Sequence, residues 1–177
     1  MKDYQSAFGQ GGFNHRVDPE SLLADIGLDR REIEWRKEYI DFDREDVERL
    51  TRFQDPFDAN AERVSEMFYE NITQYEDATD IIGRSSKGVE ALKQTQQAYL
   101  RSLAGGDYGP EYFKNRARIG KLHDILDMPM KFYLGQYGVY YNLLIPLVTE
   151  RIQDAITEII GSWAGDGGVA TDGGSQP

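Results

Sequence analysis

The segment Tyr112–Leu126, YFKNRARIGKLHDIL, decides the fold class and points to the chemistry. Ile119, His123 and Leu126 recur at four and three residues, the spacing of one helix face. The face is apolar apart from one imidazole. His123 is one of two histidines in 177 residues, and the chain has no cysteine. Gly120, three residues before the histidine, costs about 1 kcal/mol inside a helix relative to Ala. Close approach of something flat, or of a neighbouring helix, would account for it. A single imidazole on an apolar face suits a one-ligand haem site. A lone helical histidine is more often a satisfied core or surface residue, and spacing alone does not separate the two readings.

The same period extends in both directions. Asp29 caps a helix bearing Trp35, Tyr39 and Phe42 on one face. Asp43 caps the next, with Val47, Leu50 and Phe53, and Pro56 stops it. Asp58 starts a third, striped by Val64, Phe68, Asn71, Ile72 and Tyr75. Ser85 or Ser86 opens a fourth, with Val89, Leu92, Gln96, Tyr99 and Leu103 on one side, ended by Gly105-Gly106. The fifth, carrying His123, begins near Gly109-Pro110. Asp127 caps a sixth, expected to reach Ile160, about 48 Å at 1.5 Å per residue. Gly135 and Gly138 in that helix are expected at a helix–helix contact. No segment alternates in the manner of a strand between hairpin turns. The fold class is therefore all-α. Residues 1–27 are expected as a flexible arm, 28–160 as the domain, and 161–177 as a Gly-rich tail or linker.

Composition narrows the function classes. The net charge is −11, from 31 acidic and 20 basic residues. That balance argues against nucleic-acid binding, which wants clustered Lys and Arg, and against anionic membrane surfaces. The longest apolar run, 139–148, is too short to span a bilayer. The polar start does not read as a secretory signal, so a cytoplasmic location is expected. Without cysteine there is no disulfide, thiolate ligand or catalytic thiol. His15 lies in the arm and is expected to be exposed. No phosphate loop, serine triad or paired-carboxylate motif stands out.

Three runs taken together carry a resemblance: Met67-Phe68-Tyr69, Leu92-Lys93-Gln94-Thr95, and Arg116 to His123. Pro129-Met130-Lys131-Phe132-Tyr133 follows at matching spacing, and Glu34-Trp35-Arg36-Lys37-Glu38-Tyr39 precedes them. The ordered set resembles the sensor globins of the globin-coupled sensors, in particular the haem-based aerotactic transducers, over about residues 20–160. The resemblance implies a globin-like helical sandwich with an extra N-terminal helix and haem b as cofactor. His123 then matches the proximal iron ligand. Tyr69 and Thr95 match two distal polar positions, where a hydroxyl can donate to bound O₂. Leu92 matches an apolar distal wall, and Tyr133 a tyrosine beside the proximal histidine.

The implied function is a non-enzymatic, haem-dependent O₂ sensor coupled in the family to aerotaxis. Two other readings stand beside it. One is a haem enzyme acting on O₂ or NO, as in protoglobins; the other is a haem-free helical interaction module. In the family a final globin helix follows the long one, and the pair builds a homodimeric four-helix bundle. Here Gly-rich sequence takes that position, so dimerisation does not carry over directly. A chemotaxis signalling module would be supplied in cis or in trans.

Overall fold

The computed structural model of the chain describes residues 11–166. Among these there are helices and no strand. A short 3₁₀ helix, Gly12–Arg16, is followed by α1 (Pro19–Asp25), α2 (Arg30–Tyr39), α3 (Arg44–Thr51) and α4 (Gln54–Ile72). Then come α5 (Glu76–Gly83), α6 (Val89–Ser102), α7 (Pro110–Ile125) and α8 (Met130–Asp166).

Local chemistry explains most boundaries. The Asp29 carboxylate accepts the Glu32 amide at 2.8 Å and starts α2. Asp43 and Asp46 form a reciprocal capping box on α3. Pro110 sits in the first turn of α7, where its missing N–H has no helical partner to lose.

Several sequence expectations are corrected. Pro56 does not stop a helix; it lies in the first turn of α4, which begins at Gln54 rather than Asp58. A first-turn proline satisfies the same rule that favours Pro110. The short helix α5 has no counterpart in the apolar pattern, because two turns offer too few repeats to register. On α2, Trp35 and Tyr39 are exposed and stack on each other at 5.2 Å, while Ile33 is the buried residue. The expected arm is partly ordered. Pro19 opens α1, which packs on α7, and Val17 and Leu28 are buried on either side of it. His15 is exposed as expected. Residues 1–10 lie outside the described residues.

At the other end, α8 runs past Ile160 to Asp166, through Gly161 and through Pro146. Its 37 residues make it about 55 Å long. Glycine weakens a helix without stopping one that flanking residues sustain. The remainder of the expected tail, 167–177, lies outside the described residues. Gly135 and Gly138 do not seat a neighbouring helix among the described residues: a Cβ at either would meet nothing there within 4 Å.

The core lies where α4 packs on α6 and α8. Phe57, Ala61, Val64, Leu100, Ala104 and Leu147 form one buried cluster. Phe68, Tyr69 and Ile72 form a second, one turn further along α4, with Leu92 and Tyr140 against it. Between this second cluster and α7 the packing opens into a cavity.

Candidate functional site

Two adjoining chambers, about 480 Å³ and 140 Å³, share Tyr69, Leu92, Gln96, Tyr99, Ile119 and His123 in their walls. The larger falls in the size range of cofactor and small-ligand sites. Apolar and aromatic side chains dominate it, among them Phe68, Ile72, Ile81, Phe132 and Leu144. A wider surface groove of about 840 Å³, between the α2–α3 turn and Gly109, has no wall residue in common with either chamber.

His123 comes from α7 into both chambers. Its helix ends in a defined way just beyond it. Asp127 takes a left-handed conformation (φ 51°). The Met128 amide donates to the His123 carbonyl at 3.1 Å, and the Asp127 amide to the Asp124 carbonyl at 2.9 Å. This is a Schellman closure, so Asp127 ends α7 rather than capping α8. From the C-cap of α5, the Arg84 guanidinium donates to the Leu126 and Asp127 carbonyls at 3.0 and 3.2 Å. These carbonyls would otherwise lack partners at the helix end.

Burial lowers the His123 pKa below its ordinary 6.5. The Ile119 carbonyl one turn back opposes this, but it is not in hydrogen-bonding geometry, and the buried Nδ1 has no hydrogen bond. The imidazole is therefore neutral at pH 7, with a lone pair to offer. The Tyr133 ring meets it edge-on, centroids 5.6 Å apart.

The opposite wall comes from α4 and α6. Tyr69 is buried, and its desolvated phenol is pushed well above its ordinary pKa of 10. It stays protonated, and among the described residues no hydrogen bond holds its hydroxyl. Leu92 is half-buried against the cluster of Phe68, Tyr69 and Ile72. Thr95 lines only the smaller chamber. Its hydroxyl donates to the Ala91 carbonyl at 3.0 Å and accepts from Lys87 Nζ at 3.4 Å.

All five residues singled out in the sequence thus border this cavity: His123, Tyr69 and Leu92 both chambers, Tyr133 the larger, Thr95 the smaller. Sequence reasoning overlooked Tyr140, whose hydroxyl accepts a hydrogen bond from Gln96 Nε2. Its signal was its position on α8, seven residues after Tyr133 and so on the same face. Arg116 was quoted only as part of a run. It lies over the rings of Tyr99 and Tyr112 at 4.4 and 4.0 Å, and donates to Ser102 Oγ at 2.7 Å, bracing α7 against α6.

Residues 29–164 match the protoglobin family model. This chain belongs to the protoglobin family. The chain is also similar to the haem-based aerotactic transducer HemAT of Halobacterium salinarum, 38% identical over 136 residues. That match covers 77% of this chain and 28% of the transducer, so the chain spans well under a third of that relative's length. No solved structure matches the chain significantly. Family membership agrees with the all-helical, globin-like architecture and with a cavity in front of a helical histidine. Among the described residues no helix is long and apolar enough to cross a membrane.

Proposed function

We propose that the chain binds haem b through His123 and serves as a cytoplasmic O₂-sensing domain in aerotaxis. The observation that carries this is a half-buried, neutral imidazole with its Nδ1 shielded from solvent, facing an apolar cavity, with a protonated tyrosine on the far wall. The residues present fit the group. A neutral imidazole is the form that ligates iron, and flat aromatic walls suit a macrocycle. The bound haem would supply a ferrous iron with one open position for reversible O₂ binding.

Each side chain then has a definite task. His123 offers its lone pair, and the Schellman closure with the Arg84 clasp holds its helix in place. Tyr133 limits the tilt of the imidazole. Tyr69 offers a hydroxyl proton to a polar diatomic ligand, and Leu92 keeps water from that region. Thr95 flanks the smaller chamber, its proton engaged by Ala91.

A sensor must also transmit. O₂ shifts a conformational equilibrium only if it binds the two states with different affinity. α7 and α8 are the elements on which a shift of His123 would act, because Tyr133 on α8 touches it directly. Past the cavity, α8 leaves Ile152, Ile156, Ile159, Ile160 and Trp163 exposed. A contiguous apolar face of this kind suits a second copy of the chain or a signalling module. The similarity to a transducer supports the same assignment.

The test is a hemin titration of the purified chain beside a His123→Ala variant, followed by reduction and exposure to O₂. A Soret band lost in the variant, with a stable oxygenated spectrum in the parent, is expected. No band, or one indifferent to His123, overturns the assignment. Rapid turnover with a reductant in place of stable oxygenation would make the chain an enzyme instead.

A further inference from the structure

Helix α8 presents two tyrosines to the larger chamber, Tyr133 and Tyr140, two turns and about 10 Å apart along its axis. Tyr133 stands beside His123. Tyr140 stands on the α4–α6 side, where its ring meets Phe68 edge-on at 5.4 Å and Tyr99 at 6.1 Å. It is packed against both buried clusters. Gln96 Nε2, from α6, donates to the Tyr140 hydroxyl oxygen.

A phenol that accepts one hydrogen bond still has its own proton to give. Among the described residues no hydrogen bond takes that proton. Thr95 is different: its proton already goes to the Ala91 carbonyl. Of the tyrosines that line the larger chamber, Tyr69 and Tyr140 meet at the second core cluster, and both phenols are kept protonated by desolvation.

We infer that Tyr140, oriented by Gln96, is a second hydroxyl donor to the diatomic ligand and lets α8 read the ligand directly. The inference rests on the haem assignment above and deepens it. Two inputs then converge on one helix. Tyr133 feels the position of His123, and Tyr140 feels the presence and polarity of the ligand. α8 is also the helix with the exposed apolar face, so the ligand would reach the output surface without passing through α7. Gln96 acts as a positioning residue: its amide fixes the phenol rotamer and so aims the proton.

The experiment uses the hemin-loaded, reduced full chain, with Tyr140→Phe and Gln96→Leu variants. It reads the O₂ dissociation rate and the C–O stretching frequency of the CO adduct. Phenylalanine keeps the ring between Phe68 and Tyr99, and an unchanged helical circular dichroism melt would show that the core survives. Loss of one hydrogen bond predicts O₂ release about five- to tenfold faster in Tyr140→Phe. The C–O stretch should rise, because a donor near the ligand lowers it. Gln96→Leu should move both readouts in the same direction by less. An unchanged rate and stretch in Tyr140→Phe overturn this inference and leave the haem assignment standing. A parent chain that takes up no hemin overturns both.

Discussion

The carbonyl of His123 accepts the amide proton of Met128 at 3.1 Å. A residue in the wall shared by the two chambers is thus also the residue on which the C-terminus of α7 closes. The closure turns through Asp127 in a left-handed conformation, which a residue with a Cβ adopts at a cost. Asp127→Gly is expected to stabilise the chain by about 0.5–1 kcal/mol, a rise in Tm of about 2–4 °C. Asp127→Val should lower it. Thermal melts of the two variants against the parent check this.

Gly120 offers a second helix test. A Cβ there would meet nothing within 4 Å. Gly120→Ala should therefore raise the urea midpoint of the hemin-free chain, by about 0.5–1 kcal/mol of stability. A loss of stability would show that the position is more crowded than this structure has it. Hemin affinity measured on the same variant reports whether a flat group comes close when bound.

The pH dependence follows from the direction of the His123 shift. Its folded pKa lies below its ordinary 6.5, so between these two values the unfolded chain binds more protons than the folded one. Stability is fully present above the unfolded value. It falls as the pH falls through the window, then levels off below the folded value. Urea midpoints at about pH 7.5 and about pH 5.5 should differ more in the hemin-free parent than in His123→Gln. Equal differences would mean that the imidazole is more solvated than its burial indicates.

Tyr69 is expected to slow ligand release. In the hemin-loaded chain, Tyr69→Phe should raise the O₂ dissociation rate about tenfold or more, as loss of a hydrogen bond to a polar ligand implies. The CO dissociation rate should change much less, since CO is less polar. Photolysis and stopped-flow mixing measure both.

The apolar face of α8 should make the chain self-associate. Trp163 is 76% exposed, and Ile156 and Ile159 lie open beside it. Sedimentation at about micromolar concentration is expected to show a dimer, and Ile156→Asp with Ile159→Asp to shift it to monomer. A parent that stays monomeric would leave the face to a signalling partner.

Sequence alone determined the helical class, the Asp29 and Asp43 caps, the start of α7 at Pro110, and the face on which Ile119 and His123 lie. These are local properties, set by side chains within one or two turns of one another. The family resemblance named five of the residues that border the cavity. Tertiary structure decided the rest. Pro56 lies in the first turn of α4, where a proline gives up no helical hydrogen bond, and Gly161 is carried by the helical residues on either side of it. Asp127 ends a helix where its composition suggested a beginning, because the closure depends on φ rather than on residue type. The Gln96–Tyr140 bond joins residues 44 apart in sequence, and no periodicity encodes such a pairing. The lowered pKa of His123 likewise requires the side chains that close around it, Tyr133 on α8 among them, since desolvation belongs to the assembled site and not to the histidine.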